Sequence, residues 1–184
     1  MDLVTKLRYC YSHHFRALAY RSRLMAEKWI TTMRTIAEVA PPTVAAVTLR
    51  AGLHGWSTAH RCGNPTRRCI ICNREGSNDS LDHISRCIVT RRLWDKLMPG
   101  KIFCNHALLG FNAFLWTRED IAHCAMTLYG VYEFYRFWGH THVRHSYNVA
   151  SCVRAIIHFA TTDLSGGRGS VVRNFMHRYK LGLH

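Results

Sequence analysis

Four residues constrain this chain more than any others: Cys69, Cys72, His83 and Cys87. The first pair reads Cys-Ile-Ile-Cys, a spacing that lets both sulfurs turn onto one point at a tight turn. The second reads His-Ile-Ser-Arg-Cys, a spacing that stacks the two side chains on one face of a helix. Three sulfurs and one imidazole nitrogen make a closed tetrahedral donor set of the Cys3His kind, which suits Zn2+. His60 and Cys62 lie close by in sequence and rank second as ligands. Three thiolates, a neutral imidazole and Zn2+ sum to a single negative charge. Arg67, Arg68, Arg74, Arg86, Arg91 and Arg92 flank the quartet and overcompensate it.

The imbalance extends to the whole chain, with 25 Lys+Arg against 11 Asp+Glu and a formal net charge of +14. Charge of this size speaks of polyanionic partners more than of fold. Hydrophobic residues make up 48% of the 184 positions, enough to bury a core that does not rest on metal alone. Eight cysteines do not read as a disulfide framework. The opening residues lack the pattern of a secretory signal. Cys10, Cys62, Cys104, Cys124 and Cys152 sit among apolar neighbours and read as core thiols of a reducing compartment. No run approaches the roughly 20 apolar residues of a membrane span. Residues 1–39 are Arg-rich, acid-poor and amphipathic, as mitochondrial presequences are, and read as a basic helix that doubles as an internal address. A membrane-surface role for this helix ranks below packing on protein or RNA.

Helical spacing of Leu3, Leu7, Cys10, His14, Leu18, Met25, Trp29, Met33 and Ile36 predicts one long helix, or two in series, over residues 3–39. Pro41-Pro42 ends it. A short helix over 43–53 follows, with Thr43 as its cap, and then a loop from Gly55 to Gly76 carrying the first ligand pair. Residues 82–98 are expected to form one helix bearing His83 and Cys87, stopped by Pro99-Gly100. Thr117-Arg118-Glu119-Asp120 resembles a capping box, with Asp in the third helical position, opening a helix that Gly139-His140 breaks. A helix over 141–160, a loop at Ser165–Gly169 and a short basic helix over 170–181 complete the reading. The fold class is mostly α: a helical domain with a central Cys3His zinc knuckle and a long N-terminal helix. It divides into a basic helix (1–40), a zinc-knuckle module (41–100) and a helical region (101–184).

Residues 49–97 resemble the zinc-binding segment that follows the polymerase domain in non-LTR retrotransposon reverse transcriptases. The likeness rests on Leu49-Arg50, Trp56-Ser57-Thr58, Arg61, Cys69 and Cys72, Asp79, His83, Cys87 and Trp94. Ile70-Ile71 stands where that family often has Pro or Gly, and the His–Cys gap is one residue shorter than its commonest form. No Asp-Asp dyad for catalytic magnesium and no spaced acidic set for a nuclease is present. The resemblance therefore implies the binding module without the enzyme.

Other candidates carry less. His140, His142 and His145 lack a carboxylate or thiolate partner in sequence. His123 and Cys124 point about 100° apart on a helix, which excludes a thiol–imidazole nucleophile. The aromatic run from Tyr129 to Trp138 reads as core, with Tyr132 or Tyr135 the candidates for stacking on RNA. The Ser165–Ser170 loop lacks the Lys-Ser/Thr of a P-loop, although Arg168 is within reach of a phosphate. The expectation is a non-enzymatic, zinc-binding RNA-binding protein with no small-molecule substrate. It would be held among rRNA and neighbouring proteins of a ribonucleoprotein such as a mitochondrial ribosome. The alternatives are a nucleic-acid-binding retroelement fragment and a protein-assembly factor. Arg61, Arg67, Arg68, Arg74, Arg86, Arg91, Arg92 and Arg168 are the expected nucleic-acid contacts.

Overall fold

A computed structural model describes residues 22–53, 55–59, 62–64, 66–102, 116–140, 150–151, 153–154 and 167–179, together with Thr5 and Ile156. Among them the secondary structure is helical, with no strand: α1 (Ser22–Val39), α2 (Pro42–Gly52), α3 (Leu81–Ile84), α4 (Ile88–Leu97), α5 (Arg118–His140) and α6 (Gly167–Arg178). None of these helices is long and apolar enough to cross a membrane. The expected helix over 3–39 is seen only as α1; most of its first half lies outside the described residues, as does most of 141–160.

In α1 the buried residues Trp29, Thr32, Ile36 and Val39 recur every three or four positions, forming one apolar stripe. The helix ends where Pro41 and Pro42 follow. There Pro41 is the N-cap of α2 and Pro42 its first residue, with no side-chain cap. Thr43 is therefore inside the helix rather than capping it. Proline needs no cap here, since its preset φ and missing N–H suit the first helical turn. Gly52 lies against the ring of the fully buried Trp29, which lets α2 close onto α1.

The capping box at the start of α5 is fully formed. Thr117 Oγ1 accepts from the Asp120 N–H at 3.2 Å, and Asp120 Oδ2 accepts from the Thr117 N–H at 3.1 Å. Lys101 Nζ adds an ion pair to the same carboxyl at 3.0 Å. From Ile121 to Val131 nearly every side chain of α5 is buried. A helix that is apolar all round belongs at the centre of a fold, and α5 packs on α1, α2 and α4. The described helix ends at His140, where the Gly139-His140 break is expected. The last helix begins at Gly167, inside the predicted loop. Burial of Val172, Phe175 and Met176 stabilises it, and glycine is tolerated at a helix start. Cys124 is buried as expected, but Cys62 is exposed. The loop bearing the cysteine pair and the α3–α4 corner are thus held against the same core as the long helices.

Candidate metal centre

Cys69, Cys72, His83 and Cys87 converge, with their ligand atoms all within 4.8 Å of one another. Cys72 Sγ lies 3.4 Å from His83 Nε2. A tetrahedral ion with bonds of about 2.3 Å to sulfur and 2.0–2.1 Å to nitrogen would separate those atoms by about 3.5 Å. The gap is therefore the edge of such a tetrahedron, and the site can hold a metal ion. The two lower-ranked ligands are not part of it: Cys62 is exposed, and His60 lies outside the described residues.

The local backbone explains the convergence. The chain turns back after Cys72 because Asn73 adopts φ 45°, a left-handed conformation that asparagine tolerates. The Asn73 N–H closes the turn on the Cys69 carbonyl at 2.8 Å. No Pro or Gly is needed beside Ile70-Ile71, because Asn73 supplies the reversal. Ser77 braces the loop, accepting from the Cys69 N–H at 3.3 Å and donating to the Arg74 carbonyl at 2.5 Å.

His83 and Cys87 do not share a helix. Ser80 caps α3 by accepting the His83 N–H at 3.1 Å. The chain then tightens through Arg86 N–H to His83 O and Cys87 N–H to Ile84 O, and Cys87 becomes the N-cap of α4. This corner replaces the continuous helix expected over 82–98. It seats Cys87 at the N-terminus of α4.

The electrostatics of the cluster follow from its crowding. Cys69 is raised by donating to Cys72 and then Cys87, with burial adding to it. Cys72 is lowered because Cys69 and Cys87, then His83 and the Arg74 backbone N–H, all point at its sulfur, outweighing burial. His83 is pushed up to about 9, chiefly by Cys72 and then Cys87.

Behind the centre stands Asp79, only 1% exposed. Its Oδ2 accepts from the Ala59 N–H at 2.9 Å and from the Tyr135 hydroxyl at 2.8 Å. Its own N–H donates to the Arg67 carbonyl at 2.8 Å. One carboxyl thereby ties the segment before the cysteines, the metal loop and α5 together. Burial first, and then Asp79, raises the Tyr135 phenol, so it stays an O–H donor. Tyr135 is thus a structural residue rather than a stacking platform. Trp56 is also buried, its ring 5.0 Å from that of Tyr132 and 6.2 Å from that of Tyr135. Trp94, fully buried on α4, donates to the Lys101 carbonyl at 3.2 Å and lies 5.6 Å from the ring of Trp116. Asp79 was visible in the sequence as a motif position. That it is a hydrogen-bonding hub was not.

The expected basic contacts divide into groups. Arg67, Arg68, Arg74, Arg91 and Arg92 are exposed, and no carboxylate pairs with them among the described residues. Arg86 is exposed too, but it pairs with Asp82. Arg61 and the side chain of Arg168 lie outside what is described, and Arg168 is on α6 rather than in a loop. No protein family, curated protein or solved structure matches the chain. What fold and site together define is a mostly helical protein with a Cys3His cluster able to bind a metal ion.

Proposed function

We propose that this chain is a non-enzymatic zinc protein that binds RNA through its phosphate backbone. Zinc is the metal that best suits three thiolates and one imidazole in a closed set, since no donor position remains open for a substrate. The observation that carries the reading is the number of exposed arginines without a carboxylate partner in the segment that bears the metal ligands. Arg118 pairs with Glu38, Arg136 with Glu133 and Arg86 with Asp82, whereas Arg67, Arg68, Arg74, Arg91 and Arg92, all next to the metal centre, have no such partner among the described residues. On α4, Val89, Thr90, Leu93 and Trp94 are buried while Arg91 and Arg92 face outward. A metal-pinned frame with free guanidinium groups is suited to phosphate contacts, which bind without reading sequence.

A fixed component of a ribonucleoprotein is the first reading, and the resemblance to reverse-transcriptase zinc segments makes a nucleic-acid-binding retroelement fragment the second. Of the motif positions that carry the resemblance, Trp56, Asp79 and Trp94 are buried, whereas Leu49, Arg50 and Ser57 are exposed. The test is binding of a labelled RNA oligonucleotide at graded salt, for the wild type and for Arg91→Ala/Arg92→Ala. The wild type should lose affinity steeply with salt, and the variant should start weaker with a shallower slope. Absence of binding by the wild type at low salt would leave the assembly-factor reading.

A further inference from the structure

Arg50 lies outside the basic set around the metal centre, yet a line of contacts links it to the loop that carries Arg67. It sits in the last turn of α2, is exposed, and donates from Nη1 to the Tyr132 hydroxyl on α5 at 3.1 Å. The Gly55 N–H holds its carbonyl at 2.5 Å, so the backbone at this point is also fixed. Tyr132 is half-buried and braced by Trp56. From there an unbroken line of contacts leads through Tyr135 and Asp79 to the backbone of Arg67.

The choice of acceptor is informative. Where an arginine ties α5 to α1, a carboxylate receives it, as Glu38 receives Arg118 at 2.7 Å. Where Arg50 ties α2 to α5, a neutral phenol receives it, and no carboxylate pairs with it among the described residues. A phenol orients a guanidinium without neutralising it. One N–H is spent on Tyr132, and the rest of the fork stays available for the oxygens of a phosphate.

We infer that Arg50, oriented by Tyr132, is a phosphate-contact residue that extends the polynucleotide-binding face from the metal loop across α5. The inference rests on the proposed RNA-binding function and adds a site to it. Binding of a labelled oligouridylate measured against salt tests it, with melting temperature and zinc content recorded for every variant. Arg50→Ala should weaken binding about 5-fold near 0.1 M salt and flatten the salt slope by about 0.7, the share of one single-strand phosphate contact. Arg50→Lys should keep the slope. Tyr132→Phe should weaken binding in the wild-type background and have no effect in the Arg50→Ala background, because its only contribution is to orient Arg50. A purely structural tether predicts lower melting temperatures with affinity and slope unchanged. If Arg50→Ala binds as the wild type does while Arg91→Ala/Arg92→Ala weakens binding, this site is refuted and the function stands. If the wild type itself does not bind at low salt, both fall together.

Discussion

Tyr135→Phe is the most revealing single change, because it removes one oxygen and almost no volume. That oxygen donates to Asp79 Oδ2 at 2.8 Å in a site where Asp79 is 1% exposed and Tyr135 7% exposed. Water does not readily replace the lost donor at that depth. Oδ2 would keep only the Ala59 N–H, while Oδ1 already lacks a partner in the structure. Unmaking a buried hydrogen bond costs about 1–3 kcal/mol. For a chain of this size each kcal/mol lowers the melting temperature by roughly 2–4 °C, so a fall of about 2–12 °C is expected. Thermal and urea unfolding followed by circular dichroism would measure it. Metal content should stay at one ion per chain, since Tyr135 is not one of the four donors. A variant that melts with the wild type would refute the claim that Asp79 couples the metal loop to α5 through this bond.

Cys69→Ser/Cys72→Ser should abolish stoichiometric zinc by elemental analysis while far-UV dichroism keeps most of its helical signal, because α1, α2 and α5 pack on one another without the metal; collapse of the helical signal would contradict this. Apparent zinc affinity should rise with pH between about 6.5 and 9, since His83, raised towards 9 before metal binds, must release a proton to ligate. Calorimetric heats that depend on the buffer would register that release. Thr117→Ala should destabilise by about 1 kcal/mol through loss of the cap. Asp120 is held below its usual pKa because Lys101 and Thr117 outweigh its partial burial. Its contribution is therefore complete at neutral pH and is lost as pH falls through that lowered value, so Asp120→Asn should shrink the difference in melting temperature between pH 7 and pH 3. Gly52→Ala would drive a methyl group into the buried Trp29 ring and should destabilise by about 1–3 kcal/mol in denaturant titration.

Short-range chemistry made much of this molecule legible. The ligands at Cys69, Cys72, His83 and Cys87, the stop at Pro41-Pro42, the box at Thr117–Asp120 and the end of α4 before Pro99-Gly100 all follow from spacing or from residues whose backbone preferences are local. Errors arose where a local signal was ambiguous. An i,i+4 pair fits either a helix or a corner, and at His83 and Cys87 the need to aim both donors at one point selected the corner. Glycines near 167 suggest a loop, but burial of Val172, Phe175 and Met176 makes a helix worthwhile there.

Taken alone, the sequence determined that the chain is mostly helical, strongly basic and equipped with four metal donors, because composition, periodicity and ligand spacing act over a few residues. Tertiary structure alone decided how those parts are joined and which charges stay open. Asp79 reaches Tyr135 across 56 positions, Arg50 reaches Tyr132 across 82, and Glu38 neutralises Arg118 across 80. Such pairings depend on how α1, α2 and α4 settle around α5, and no local preference encodes that.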